Sequence, residues 1–357
     1  MKKFIKISMT AVLTAAMLVG CGSKETASTE ESATTASVVE TQEDVTVTTE
    51  TTATEETQTT EQNESAVTND KVYKIGVIQY VQHDALDASN EGFFAALDDA
   101  GIQYEVDQQN ASGDQTACQT ISEKLVNDQN DLILAIATPA AQAVVGVTDE
   151  IPVLVTAVTD PAKSGLVASN DAPGGNVSGT SDLTPVKEQI ELLTKLIPDA
   201  KKVGILYCSA ESNAKIQGEM AMEACEAAGL EAEIFTVASS NEIQQVVESM
   251  VGKVDCIYAP TDNVIAAGMA TVGMVATENN LPVICGESGM VSEGGLATYG
   301  IDYYQLGYMT GEMAVDILVN GKNPAEMPIG YLSAEQCEFT GNEENAAALG
   351  IDLSVVQ

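Results

Sequence analysis

From Lys71 onward the chain alternates short apolar runs with amphipathic segments. Asp131–Ala137 (DLILAIA) is one such run and reads as a buried strand. Thr138-Pro139 then opens a helix, with Thr as N-cap and Pro at the first helical position, and Ala140–Val147 continues it. Ile151–Val158 is a second buried strand, ended by Thr159-Asp160-Pro161. Two apolar strands joined by a short helix make a βαβ unit, and hence a parallel sheet with right-handed crossovers. In such sheets ligands bind beyond the carboxyl ends of the strands, which here carry Thr138 and Thr159-Asp160. A helix start at that place also offers free backbone N–H groups to an anion.

The pattern occurs twice. Lys74-Ile75-Gly76-Val77-Ile78 returns as Lys202-Val203-Gly204-Ile205-Leu206, and each is followed by a loop and a helix ending in Ala-Gly, at Ala100-Gly101 and Ala228-Gly229. Gln103–Val106 matches Glu231–Val237, Asp131–Pro139 matches Val254–Asp262, and Ile151-Pro152-Val153 matches Leu281-Pro282-Val283. The duplication predicts an α/β fold of two similar lobes, each an open parallel βα sheet.

Between the repeats, Ala172–Asp182 is a Pro/Gly turn running into a short polar segment, a candidate first hinge strand. After Glu287 the pattern adds a strand at Leu296–Ile301, a helix at Tyr304–Asn320, a short strand at Ile329–Leu332 and a terminal helix at Glu343–Leu349. These extra segments predict two further passages between the lobes, giving a three-segment hinge. The expected boundaries are 71–180 plus 289–328 for the first lobe and 181–288 plus 329–357 for the second.

The N-terminus is different in kind. Three early lysines (Lys2, Lys3, Lys6) precede an apolar core from Ala11 to Val19, which reads as a secretory signal too short for a membrane span. Leu18-Val19-Gly20-Cys21 resembles the bacterial lipobox, whose Cys becomes the lipidated first residue, so residues 1–21 are expected to be a lipoprotein signal. Lipidation at Cys21 implies an extracytoplasmic protein held to the cell membrane by its lipid. Residues 22–70 are rich in Thr, Glu and Ser with few large apolar residues, and are expected to form a flexible tether.

Composition narrows the function. With 15 Lys+Arg against 53 Asp+Glu the net charge is −38, which argues against a nucleic-acid partner. Every basic residue is Lys, so an anionic ligand group must be held by backbone N–H, hydroxyl, amide or Lys donors instead of an arginine fork. Trp is absent, leaving Tyr and Phe as stacking surfaces.

Several motifs resemble the ABC transporter substrate-binding proteins of the type I periplasmic-binding-protein fold, in the branch that includes tryptophan-binding lipoproteins. They are HDALD (His83–Asp87) before Gly92-Phe93, ATPAAQ (Ala137–Gln142), AVTDP (Ala157–Pro161), PGGNVSGTSD (Pro173–Asp182), ESNA (Glu211–Ala214), PTDN (Pro260–Asn263) and GGLATYGIDYYQLG (Gly294–Gly307). They span nearly all of Lys71–Leu353. One departure is Asp84, where the family often has Pro after the His. The resemblance implies a monomeric solute receptor that closes on an amino acid, aromatic and tryptophan-like. It also implies docking on a permease and an ATPase carried by separate chains. Other solutes (a branched amino acid, a nucleoside, a sugar) or a sensory role for a signalling partner are the alternative readings.

Candidate ligand contacts follow from the strand ends. In the first lobe they are Gln79 and Tyr80, the lone histidine His83, Thr138, and Thr159 with Asp160; Asp160 has the competing role of capping the turn before Pro161. In the second they are Ser181 and Asp182 after the hinge, Glu211 and Asn213, Asp262 and Asn263, and Glu287. Hydroxyls and helix starts on one side and carboxylates on the other suit a zwitterion, its ammonium held by Asp262, Asp182 or Glu211.

Catalysis and cofactors find no support. No GxGxxG follows the first strand, and neither a GxxxxGK[ST] nor an HExxH motif occurs. Gly286-Glu287-Ser288-Gly289 has the wrong glycine spacing for a nucleophile elbow. Six cysteines besides Cys21 form no CxxC pair, which with a single His disfavours zinc; Cys208, Cys256 and Cys285 read as small buried hydrophobes, and spacing assigns no disulfide.

Overall fold

The computed structural model describes residues 71–356. The expected signal segment with Cys21 and the tether lie outside the described residues. The chain runs β1 (Val72–Gln79), α1 (Asp84–Asp99), β2 (Gln103–Asn110), α2 (Gln115–Asn127), β3 (Leu132–Ile136), α3 (Thr138–Val145), β4 (Val153–Val158) and β5 (Val177–Ser181). It continues with α4 (Val186–Leu196), β6 (Lys202–Cys208), α5 (Ser212–Ala227), β7 (Glu231–Val237), α6 (Ile243–Met250), β8 (Cys256–Ala259), α7 (Asn263–Ala267), α8 (Met269–Glu278) and β9 (Val283–Cys285). The last part is α9 (Ser288–Ser292), β10 (Ala297–Gly300), α10 (Tyr303–Leu318), β11 (Gly330–Tyr331), β12 (Glu338–Gly341) and α11 (Glu343–Leu349).

Two six-stranded sheets result, ordered β11-β5-β4-β3-β1-β2 and β12-β10-β9-β8-β6-β7. All pairings are parallel except β10 with β12. The orders superpose element for element, as the duplicated sequence requires. The central strands β3, β4 and β8 are buried at every residue, because helices cover both faces of each sheet. The edge strands β2 and β7 alternate exposed and partly buried positions. Side chains such as Phe93, Leu97 and Ile133 fill the first lobe's core, while the second sheet carries one apolar cluster around Ile257 and another around Tyr258.

The chain passes between the sheets three times, but not where the sequence pattern put two of the passages. β10 pairs with β9 in the second sheet, so residues 289–300 belong to the second lobe, not the first. The return comes at Ile301-Asp302, after which α10 packs on α1, β4 and β5 of the first lobe. β11 pairs with β5, so Gly330–Tyr331 complete the first sheet, and the last passage falls between Tyr331 and Glu338. Ala172–Asp182 likewise contains the fifth strand of the first sheet, and the first passage starts only after Ser181.

α1 and α10 cross in direct contact. A Cβ at Gly92 would lie 2.0 Å from the Tyr304 carbonyl oxygen, and one at Gly307 would lie 1.9 Å from that of Ser89. Glycine is the only residue that permits this approach at either position. The crossing fixes the first turns of both helices, which bring His83, Leu86 and Tyr303 to the gap between the lobes.

Candidate functional site

Two helix starts of the first lobe, those of α1 and α3, lack side-chain caps, whereas Asp114 and Asp302 cap α2 and α10. α1 begins after His83, whose ring makes no capping bond. α3 begins after Ala137, whose backbone sits at φ 79°, and no side chain caps it. The expectation of Thr138 as N-cap is therefore corrected: Thr138 is the first helical residue, Pro139 the second, and the Thr138 hydroxyl is buried without a partner. β4 also ends in left-handed backbone, at Ala157 with φ 54°. For a residue bearing a Cβ that conformation is strained, and it persists because the β4–β5 register shifts there.

In the second lobe buried carboxylates sit on the starts of α7, the counterpart of α3, and of α9, while α5, the counterpart of α1, has no side-chain cap. Asp262 caps α7, accepting from the Ile265 amide at 2.8 Å and from the Cys208 amide. Glu211 turns away from its own helix to the same turn. It accepts from the Asn263 side chain at 2.6 Å and from the Asn263 and Val264 amides at 3.3 and 3.1 Å. Glu287 caps α9 through the Gly289 and Met290 amides at 2.6 and 2.8 Å. Burial raises the pKa of all three. Glu287 is pushed up to about 7, with its cap bonds pulling the other way, and the charge on Glu211 adds to the rise at Asp262. Asp182, in the first passage between lobes, is pushed up to about 6 by burial, while the Tyr303 hydroxyl, donating to its Oδ2 at 3.0 Å, pulls it down.

These groups converge. One cavity between the lobes is lined by His83, Asp182, Asn213, Asp262, Asn263 and Glu287, together with Leu86, Ala157, Thr261, Ala266 and Tyr303. No lysine is among the lining residues, and three acceptor atoms facing this region are buried without partners: His83 Nδ1, Asp182 Oδ1 and Asn213 Oδ1. Burial lowers the His83 pKa, so the ring offers a neutral imidazole and leaves the acids without a cationic neighbour. Six of the thirteen ligand candidates thus line the cavity.

The other seven do not line it. Gln79 donates to Asp87 at 2.6 Å and to the Val81 carbonyl, holding the loop before α1. Tyr80 is buried in the first core and donates to the Gly113 carbonyl, so it offers no stacking face. Asp160 receives the Lys163 amide and the Asn170 side chain, which makes it the cap of the turn after β4. Ser181 donates to the Thr159 carbonyl, bracing the first passage. Thr159 accepts from Gln217 across the gap at 2.9 Å. Thr138, with its unpartnered hydroxyl at the start of α3, and Glu211, bonded to the first turn of α7, are buried but are not among the lining residues. Sequence reasoning missed Tyr303 and Gln217. Tyr303 was legible in part, since it stands in Gly294–Gly307, but the helix was expected to start one residue later.

The lobes touch directly. Besides Gln217–Thr159, His83 Nε2 lies 3.3 Å from Asn263 Oδ1, and Gln142 and Gln115 donate to Ser212 and to the Ala210 carbonyl, each at 3.3 Å. The cavity volume is about 10 Å³, room for about one water molecule. This is a shut cleft.

The ABC transporter substrate binding protein family model matches residues 74–355. The chain belongs to that family. The family's role is solute binding, not catalysis, and the substrate-binding proteins of ABC importers work outside the cytoplasm with a permease. The family member is 43% identical over 287 residues to a tyrosine-binding protein of Clostridioides difficile, covering 79% of this chain and 82% of that one. Among solved structures it is similar to an ABC domain in complex with L-Trp from Streptococcus pneumoniae. The identity is 40%, the TM-score 0.77, and the match covers 80% of this chain and 98% of that one. It is also similar to the ligand-free, open structure of a substrate-binding protein with adhesive properties from Clostridium difficile. There the identity is 44%, the TM-score 0.61, and the coverage 79% and 96%. At nearly equal identity the fit is better to the ligand-bound structure than to the open one, as the direct contacts between lobes imply. Among the described residues no helix is long and apolar enough to cross a membrane.

Proposed function

We propose that this substrate-binding protein captures an aromatic amino acid between its lobes and delivers it to an ABC permease, held to the outer face of the cell membrane through lipidated Cys21. The observation that carries the reading is the set of buried, unpartnered acceptors around one cavity whose carboxyls have no lysine beside them. An ammonium donor supplies the missing hydrogen bonds and the missing positive charge together. The free N–H groups and the unpartnered Thr138 hydroxyl at the start of α3 suit the carboxylate of the same zwitterion. The aromatic choice is supported by the relatives, one named for tyrosine and one in complex with L-Trp.

Burying an aromatic side chain of about 150–200 Å² contributes roughly 4–5 kcal/mol. Micromolar affinity needs about 8 kcal/mol, so the charged ends of the solute supply the remainder. No aromatic side chain enters a volume of about 10 Å³, so the lobes must separate to admit it. The solute then favours closure because it touches both lobes only when they are shut.

Calorimetric titration with each of the twenty amino acids tests the assignment: heat is expected with Trp, Tyr or Phe, and silence from all three rejects it. Small-angle scattering should show the free protein more extended than the solute-saturated one. Cys21→Ser should release the protein from membranes into the medium; retention on the membrane would remove the lipid anchor from the scheme.

A further inference from the structure

We propose that Tyr303 is the positioning residue of the ammonium site: its hydroxyl occupies one oxygen of Asp182 so that the other is presented to the solute. The inference rests on the amino-acid reading above and deepens it. Asp182 belongs to the first passage between lobes and Tyr303 opens the helix after the second, so the bond joins two connecting segments. Both residues are buried, and both line the cavity. The Tyr303 hydroxyl donates to Asp182 Oδ2, while Oδ1 has no partner and is the free acceptor.

A carboxylate with both oxygens free could rotate, and its charge would be poorly placed for one ammonium group. A donor that fills one oxygen fixes the plane of the group and leaves a single aimed lone-pair set. The phenol ring is itself held, since the crossing at Gly92 and Gly307 fixes the first turn of α10.

The bond also keeps Asp182 ionised. Burial disfavours its charge, as does the charge of Glu211 at the start of α5, and Glu287 at the start of α9 repels it as well. Asp262 before α7 and the neutral His83 before α1 complete the titratable wall of the cavity. Tyr303 supplies the largest of the hydrogen-bond contributions that favour the carboxylate form of Asp182, ahead of the Thr159 hydroxyl and the Asp182 amide. Without it, Asp182 holds its proton to higher pH and offers no charge to the ammonium.

The test is Tyr303→Phe in the full protein, titrated with L-tryptophan, L-tyrosine and L-phenylalanine by calorimetry across pH 5–9. For whichever of these the unaltered protein binds, affinity should fall on the order of tenfold at pH 7. The acid limb of the affinity profile should also move to higher pH. A ring-fluorinated tyrosine at position 303, a stronger donor that keeps ring and hydroxyl, should move that limb to lower pH, and it serves even where the Phe variant does not fold. Wild-type affinity in Tyr303→Phe, or weakened affinity with an unmoved acid limb in either variant, overturns the inference. If the unaltered protein binds none of the three amino acids, it is the amino-acid reading itself that fails.

Discussion

The two lobes have the same strand order, yet they prepare the helix that follows their third strand, α3 in one and α7 in the other, in opposite ways. In the first lobe α1 and α3 begin without side-chain caps, behind His83 and the strained Ala137. In the second, Asp262 and Glu287 cap α7 and α9, with Glu211 reinforcing the first turn of α7. An uncapped helix start is electropositive, and a buried carboxylate reverses that. One architecture, copied, has gathered its buried carboxylates on one side as a negative jaw, while on the other α3 keeps an electropositive start and α1 carries Asp84 and Asp87 in its first turn. What divided the copies is a handful of residues at strand ends, none of which alters the fold.

The heaviest blow to this contrast is on the acidic side. Asp262→Ala removes the acceptor of two buried amides, Ile265 and Cys208, and should cost roughly 2–4 kcal/mol in urea unfolding. Asp262→Asn keeps an acceptor and should cost much less; equal losses in the two variants would show that the cap is not what matters.

Comparable in size is the pH dependence. Asp182 and Glu287 have folded-state pKa values of about 6 and about 7, above their ordinary values of 3.8 and 4.5. A raised carboxyl pKa means the folded state binds the proton more tightly, so stability falls as pH rises through that window. The free protein should therefore gain on the order of 4 kcal/mol between pH 8 and pH 5. Saturating solute should flatten that slope, because an ammonium beside the acids favours their ionised form. Thermal melts with and without solute measure both, and a free protein whose stability is level over this range would refute the negative jaw.

On the other side, Thr138→Val deletes a hydroxyl that has no partner in the shut cleft. Stability should hold or rise slightly, while solute affinity drops about three- to tenfold. Unchanged affinity would take Thr138 out of the carboxylate site. The smallest effect should come from the seam itself. Gln142→Ala removes a 3.3 Å bond to Ser212 at an exposed edge and should shift the open–shut balance by less than about 1 kcal/mol, read by scattering.

The sheets and their duplication were legible because buried parallel strands must be apolar on both faces, and runs such as Leu132–Ile136 can hardly be anything else. The passages between lobes were less legible. β10 and β11 are four and two residues long, and Ala297–Gly300 or Gly330–Tyr331 carry no pattern that says which sheet they join. Their pairing is decided by partners distant in sequence. The candidate site was readable to the extent that strand ends mark it: His83, Asp182, Asn213, Asp262, Asn263 and Glu287 were named that way and line one cavity. Position after a strand does not reveal where a side chain finds its bonds, however. Asp160 met the Lys163 amide of its own turn, and Tyr80 met a carbonyl in its own lobe. Tyr303 reaches the cleft from a helix, outside the strand-end rule altogether.

The position of β11 has a consequence for how the molecule is made. Gly330–Tyr331 are the outermost strand of the sheet that Val72 begins, so the first half to be synthesised waits for nearly the whole polypeptide before its last strand is in place. A nascent chain halted shortly after α10 would leave both halves unfinished, the first lacking β11 and the second lacking β12. Neither sheet is therefore drawn from one continuous stretch of the chain.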